Sequence, residues 1–318
     1  MLVALDKKGN LINLVDEIPP KQKFFCPACR AEVRLKNGTI KIPHFAHVQL
    51  ENCDSWSENE SAQHLQLKER LYRWFSGTEK VEIEYYLPSI RQTPDLLVND
   101  KIAIEIQCSS LSIQRLRERT QAYHTQGFTV IWLLGENLWL KASLTDLQKN
   151  MMYFSENRGF YIWEADLEKE VMRLKSLIHQ DLRGKAIYLA EEFSFDTGSL
   201  LDILRQPFRA QKMVNLTVKT DRNLKNYVQN QLYYCVPKWL KLQQKYYQIA
   251  ENLLEIDFDQ NYYAPPGLDL LAVKFDGFVQ PDFCQISQNL TDYYQNFSEN
   301  RSEKLYPPRY YAIMKDNI

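Results

Sequence analysis

The sequence lacks several features that would place it in other protein classes. It has no apolar run near the ~20 residues of a membrane-spanning helix and no secretory pattern at its start, so we expect a cytoplasmic protein with no membrane span. Six cysteines at irregular spacing among 318 residues do not suit a disulfide framework. A net charge of only −1 requires any nucleic-acid affinity to come from local segregation of charge.

What the sequence does contain indicates a globular chain with several domains. Hydrophobic residues make up 45% and aromatic residues 13%, and 318 residues are enough for two or three separate cores. We expect an N-terminal zinc-binding module at residues 1–54, an α/β domain at 55–150 and a mainly helical domain at 151–318. A short hairpin should open the chain, with its turn at Gly9 and Asn10.

Five of the residues that zinc prefers lie between positions 26 and 53: Cys26, Cys29, His44, His47 and Cys53. Because tetrahedral zinc takes four ligands, one of the five is surplus. We predict Cys26, Cys29, His47 and Cys53, with His44 competing for the third position. The alternative is a buried cysteine pair beside two surface histidines.

The stretch Arg91–Ser110 predicts two short strands joined by a turn at Asn99 and Asp100. Since side chains alternate along a strand, Glu105 and Gln107 share one face, and the hairpin can bring Asp95 towards it. A charged side chain among isoleucines needs a partner, and a bound divalent cation would supply one.

The flanking segments predict an α/β arrangement. The stretch at 55–76 has a helical period that places Glu60, His64 and Lys68 on one face. These residues either belong to the same site as the acidic hairpin or form a solvent-exposed polar stripe. Ser112 should begin a second helix that stops at Gly127, before a fourth strand. Helix, three strands, helix and strand imply a parallel strand pair in an α/β sandwich.

The motifs CPAC, HFAH, ESAQHLQLK, TPDLL, IAIEIQCSSLS, RTQAY and IWLLG occur in this order between residues 20 and 140. Together they resemble the CoiA-type competence proteins, which process incoming DNA in natural transformation and promote its recombination. The order of elements and the placement of Asp95 and Glu105 also resemble the PD-(D/E)xK nuclease superfamily.

The resemblance implies a fold and a set of roles. The fold would be α/β, with a PD-(D/E)xK restriction-endonuclease-like core (αβββαβ). Asp95 and Glu105 would hold magnesium or manganese, and Glu60 would add a ligand. Gln107 stands where lysine is commonest, so Lys68 or His64 would supply the missing charge. The family resemblance also favours DNA contacts by Arg119 and Tyr123.

The region after residue 150 is less informative. A strand pair around Arg158 and Gly159 should precede a charged helix, and Cys235 and Cys284 should lie in the core. Between residues 205 and 245 there are nine basic residues and one acid, interleaved with aromatics. This composition fits a single strand of DNA stacking on rings, and a helix core equally well.

The predicted function is metal-dependent hydrolysis of DNA phosphodiesters, with structural zinc in the N-terminal module. DNA, including single-stranded DNA, is the expected partner, together with a recombinase or other competence proteins. One alternative is a non-catalytic DNA-binding adaptor that assists a recombinase. Another is a defence nuclease acting on foreign DNA.

Overall fold

The computed structural model describes residues 1–49, 53, 60–210, 213–294, 297 and 302–315. The strands are β1 (Val3–Leu5), β2 (Leu11–Asn13), β3 (Phe24–Phe25), β4 (Glu32–Lys36), β5 (His44–His47), β6 (Val81–Ile83), β7 (Leu96–Val98), β8 (Ile102–Gln107), β9 (Thr129–Leu134), β10 (Tyr153–Ser155), β11 (Gly159–Asp166), β12 (Val171–Gln180), β13 (Ala186–Ser194), β14 (Leu216–Thr217) and β15 (Lys304–Leu305). The α-helices are α1 (Ala62–Phe75), α2 (Ile113–Thr125), α3 (Asp146–Met151), α4 (Leu200–Leu204), α5 (Leu224–Tyr233), α6 (Pro237–Gln248), α7 (Val273–Asp276), α8 (Thr291–Tyr294) and α9 (Pro308–Lys315).

The chain divides into two compact units. The first comprises residues 1–139, 162–174 and 191–205, and the second comprises 140–161, 175–190 and 206–318. The predicted domain boundary between residues 54 and 55 lies outside the described residues, and the predicted boundary at 150 stays a prediction.

The first unit contains a five-stranded sheet in the order β2-β1-β3-β4-β5. Antiparallel pairing of β1 with β2 confirms the predicted opening hairpin. The core of this sheet consists of Met1, Ala4, Leu14, Phe24, Cys26, Val33, Phe45 and Cys53. Two of the predicted zinc ligands are therefore part of an apolar core.

A second sheet has the order β13-β12-β11-β9-β8-β7-β6, with β10 paired to β11. The hairpin β7–β8 turns at Asn99 and Asp100, whose φ angles of 50° and 53° suit a tight hairpin turn. β8 pairs with β9 in parallel along six residues. The helix α2 connects them, beginning at Ser112, which accepts from the Arg115 amide as predicted. The predicted order of helix, three strands, helix and strand is thus present from residue 62 to 134.

The expectation of a charged helix after Arg158 and Gly159 is wrong, because Val171–Gln180 form the strand β12. Met172 and Leu174 are buried, and Arg173 between them binds Glu164, Asp166 and Glu192. Charged residues that alternate with apolar ones suit a strand when acidic partners lie on neighbouring strands. Residues 151–194 are therefore mainly strand, not mainly helix.

The described residues after position 200 form far more helix than strand. Trp239 and Tyr246 are buried on α6, as the helix-core interpretation of the aromatic residues predicts, whereas Tyr233 and Tyr234 are exposed. Cys235 is exposed and Cys284 is half-buried, so the prediction of two core cysteines is wrong. Within the described ranges, no helix has both the length and the apolar character needed to cross a membrane.

Candidate metal centre and active site

The first candidate site is a cluster of three cysteines and one histidine. The turn after β3 brings Cys26 and Cys29 together, because the Cys26 carbonyl accepts from the Arg30 amide at 3.0 Å and Arg30 adopts a φ of 63°. The possible ligand atoms of Cys26, Cys29, His47 and Cys53 all lie within 4.8 Å of one another. Four soft ligands at this separation could hold one metal ion.

Strand parity decides between the two histidines. His44 and His47 are three residues apart on β5, so their side chains point to opposite faces. His47 shares its face with Phe45, which packs on Phe24 at 4.8 Å between ring centroids. Its Nε2 lies 3.4 Å from the Cys29 sulfur, whereas the His44 Nδ1 lies 2.9 Å from the Ile42 carbonyl oxygen.

Burial controls the protonation of this cluster. It raises the pKa of the Cys26 thiol to about 12 and lowers the pKa of His47 below its ordinary value. A neutral imidazole is the form that ligates a metal. A buried thiol gives up its proton only to a strong local positive charge, and a bound cation is one.

The second candidate site is formed around α1. Ser61 begins this helix by accepting from the His64 amide at 3.1 Å. Glu60 lies just before the helix, and the four-residue spacing brings His64 and Lys68 to the same side. The Lys68 side chain is fully buried, while the His64 side chain keeps 20% of its surface exposed.

Lys68 is the centre of a buried ionic network. Its Nζ lies 2.7 Å from Glu84 Oε1 and 2.8 Å from Asp95 Oδ1, and it also binds Glu60 Oε1. The His64 Nε2 lies 3.0 Å from the same Asp95 oxygen. Three carboxylates thus meet one lysine, so negative charge is in excess around the ammonium.

Glu84 is the member of this network that sequence reasoning missed. It follows β6 with a φ of 51° and is buried. Its Oε2 accepts from the Leu2 amide at 2.7 Å and the Val3 amide at 3.0 Å. Glu84 therefore ties the N-terminal sheet to the residues around Lys68.

These charges hold one another in the ionised form. Burial alone would raise the pKa of Asp95, but His64 and Lys68 outweigh it and hold that pKa well below its usual range. Burial is likewise outweighed at Glu60, where Lys68, the Met1 amino group and His64 lower the pKa. Burial would lower the pKa of Lys68, and the three carboxylates raise it instead.

The hairpin brings Asp95 next to Glu105. β7 begins at Leu96, which pairs with Ile104, so the same antiparallel register sets Asp95 opposite Glu105 on one face. The Asp95 Oδ2 also accepts from the Ile106 amide at 2.8 Å. The expectation that the hairpin brings the two carboxylates to one face is met.

Glu105 is nevertheless held by α2. Its Oε1 accepts from Arg119 Nη2 and from the Tyr123 hydroxyl, both at 2.5 Å. Burial raises the pKa of Glu105 to about 7, against the opposing charge of Arg119. Tyr123 has no exposed surface, so our prediction that it contacts DNA is corrected: it binds Glu105 within the core.

Among the described residues, a second group whose ligand atoms lie within 4.8 Å of one another comprises Glu60, His64 and Asp95. This group adds His64 to the predicted acids and does not include Glu105. Gln107 is buried and donates from Nε2 to the Ser109 carbonyl at 2.9 Å. Two carboxylates and an imidazole could together hold a divalent cation at the helix start.

Comparison with known proteins finds matches to the two parts of the chain in which these clusters lie. A family model described as the N-terminal domain of competence protein CoiA matches residues 12–55, and one described as its nuclease-like domain matches 60–207. The competence protein CoiA of Bacillus subtilis (strain 168) is 36% identical over 119 residues, which are 36% of this chain and 32% of the relative. The match thus spans about a third of the relative's length. No solved structure matches the chain.

Proposed function

Because the chain belongs to the CoiA-type competence proteins over residues 12–55 and 60–207, we propose that it processes DNA in natural transformation by hydrolysing phosphodiesters. The single observation that carries the proposal is the convergence of Glu60, His64 and Asp95 around a buried lysine within the nuclease-like match. The order of elements from α1 to β9 supports a PD-(D/E)xK restriction-endonuclease-like core. The structure describes all six cysteines and places none of them in a disulfide, which suits the reducing cytoplasm.

The ligand chemistry fits a hard divalent cation at this site. Oxygen donors from Glu60 and Asp95, kept ionised by their neighbours, suit magnesium or manganese, and the imidazole of His64 favours manganese. Bound there, such an ion would neutralise charge on the scissile phosphate and lower the pKa of an attacking water. The Cys26, Cys29, His47 and Cys53 cluster fits zinc as a structural ion.

The chain's own residues then have distinct roles. Lys68 is fully buried, so it acts as a positioning residue that orients Asp95 and Glu60 and keeps both carboxylates ionised. Among Glu60, His64 and Asp95, His64 has the most exposed side chain, so it is the one that contacts the substrate. Arg119 and Tyr123 fix the carboxyl of Glu105 beside Asp95. Gln107 donates to Ser109 and offers its carbonyl oxygen to orient the water.

The test compares two histidines in a cleavage assay. Purified protein is incubated with labelled single-stranded and double-stranded DNA in manganese, alongside His64→Ala, Asp95→Asn and the exposed control His124→Ala. We expect cleavage by the wild type and the control, and a loss of about 10²-fold or more in the site variants. Equal cleavage by all four proteins would show a contaminating nuclease and refute the assignment.

A second candidate, a non-catalytic DNA-binding adaptor, is favoured by two observations. Position 107 holds an uncharged glutamine, and the adjacent Glu105 is already bound by Arg119 and Tyr123. An adaptor predicts that the wild type binds DNA but cleaves none with magnesium or manganese. It also predicts that Asp95→Asn leaves transformation frequency unchanged.

A further inference from the structure

The hairpin of α5 and α6 presents tyrosine rings to solvent that its own core does not use. On the inward side, Trp239 is buried and meets Tyr227 edge-on, with ring centroids 5.8 Å apart. Val228 of α5 and Leu242 of α6 are also buried. Because the helix pair already has an apolar core, its exposed rings have no packing role within it.

Three exposed rings remain on this hairpin. Tyr233 is 79% exposed, Tyr234 is 72% exposed and Tyr247 is 61% exposed. Tyr233 and Tyr234 lie edge to face with centroids 5.1 Å apart, at the end of α5. Cys235, with a φ of 53°, follows them in the turn that leads to α6. Large rings left in water at one turn are typical of a binding surface.

The charge of the hairpin is of one sign. Residues 222–250 contain no aspartate or glutamate, and they contain five basic residues, Arg222, Lys225, Lys238, Lys241 and Lys245. Two of these reach acids elsewhere, since Lys238 binds Asp269 at 2.9 Å and Lys245 binds Asp276. Lys225 and Lys241 are exposed, one on each helix. The hairpin therefore combines positive charge with open aromatic faces.

The spacing along α5 aligns charge with rings. Lys225, Gln229 and Tyr233 recur every four residues and are all exposed, so they lie along one side of the helix. At ~1.5 Å per residue, Lys225 lies about 12 Å from Tyr233 along the axis. The exposed polar side chain between Lys225 and Tyr233 is the amide of Gln229, and an amide suits base edges and phosphates better than lipid acyl chains.

We propose that this α5–α6 surface binds single-stranded DNA, with unpaired bases stacked on Tyr233 and Tyr234 and backbone phosphates near Lys225 and Lys241. Base–aromatic stacking needs an open base face, which a single strand offers and a duplex covers. The surface lies beyond residue 207, where the nuclease-like match ends, and it shares no residue with the proposed hydrolytic site, so it would be a further DNA contact.

Fluorescence anisotropy with a labelled oligothymidylate tests the proposal. It is run on the full chain in an Asp95→Asn background without added magnesium or manganese, so that cleavage of the probe cannot be mistaken for weak binding and the cysteine cluster keeps its ion. We expect Tyr233→Ala with Tyr234→Ala to weaken binding about tenfold or more, and the double phenylalanine variant to bind like the parent protein. Both rings are exposed, so the Tm should not change.

Charge variants give a readout that folding defects would not mimic. Lys225→Gln and Lys241→Gln should each weaken binding and reduce the slope of log affinity against log salt by about 0.7, whereas Lys7→Gln should not. The proposal fails if the alanine variant binds oligothymidylate as tightly as its parent, or if duplex competes equally well. It also fails if the alanine variant binds anionic lipid vesicles more weakly than its parent but binds DNA equally well.

Discussion

The two candidate metal sites of the first unit differ in how their charge is balanced. The cysteine cluster contains no cationic side chain, and two of its members, Cys26 and Cys53, lie in an apolar core. The acidic cluster instead contains its own cation, because Lys68 binds Glu60, Glu84 and Asp95. We infer that the first site requires its ion to fold, and that the second folds without one and accepts it for chemistry.

The largest expected effect comes from removing the ion of the cysteine cluster. Binding free energy at structural zinc sites is folding free energy, of about 10 kcal/mol or more in small modules. His47→Ala should therefore lose zinc and unfold the N-terminal sheet, while His44→Ala, on the opposite face of β5, should keep both. Metal content by mass spectrometry and limited proteolysis measure the difference. Zinc loss in His44→Ala alone would reverse the assignment.

Lys68→Met should give the next largest effect. It removes the buried ammonium that Glu60, Glu84 and Asp95 share, although Glu60 keeps the Met1 amino group as a partner, and breaking a buried ion pair costs about 3–5 kcal/mol. Lys80→Met removes an exposed pair with Asp100 and should leave the free energy of unfolding unchanged. Urea unfolding measures both variants. If manganese restores the stability of Lys68→Met, the ion can take the place of the ammonium among the carboxylates.

Much of the acidic site follows from periodicity alone. The period of two along β8 and the turn at Asn99 set Asp95 beside Glu105, and the period of four along α1 unites His64 with Lys68. The preference for His47 over His44 could also be predicted from the sequence, because His47 shares a strand face with Phe45, which must be buried. These relations involve residues that are close in sequence, where secondary structure fixes the geometry.

The rest depends on contacts between distant segments. Glu84 binds the amides of Leu2 and Val3, more than 80 residues away, and only after a positive φ turns it from its strand. The prediction that Tyr123 contacts DNA did not take the helical period into account. Leu116, Thr120 and Tyr123 lie on one side of α2 and are all buried. In β12, the acidic partners of Arg173 lie on other strands, so local sequence could not distinguish strand from helix.

The pH dependence of stability should separate Glu105 from Asp95. The pKa of Glu105 is raised to about 7, so its stabilising contribution is complete below the unfolded pKa of about 4 and is lost as the pH rises through 7. The pKa of Asp95 is lowered, so its contribution is present above about pH 4 and is lost in acid.

Urea unfolding at a series of pH values tests these opposite signs. Relative to Glu105→Gln, the wild type should lose ~1–3 kcal/mol of stability between about pH 4 and 7. Relative to Asp95→Asn, it should lose stability as the pH falls below about 4. The exposed control Glu118→Gln should show neither trend. Parallel curves for the Glu105 and Asp95 variants would contradict the distinction.

Tyr123→Phe should give the smallest effect, because it removes one hydroxyl and keeps the buried ring. Below about pH 7 the Glu105 carboxyl is protonated and an ordinary hydrogen bond contributes about 0.5–1.5 kcal/mol, so the free energy of unfolding should fall by that amount, while the exposed Tyr85→Phe changes nothing. The hydroxyl also lowers the pKa of Glu105, so its loss should move the Glu105 transition to higher pH. A stability loss without that shift would mean that Tyr123 supports the core and leaves the carboxyl unaffected.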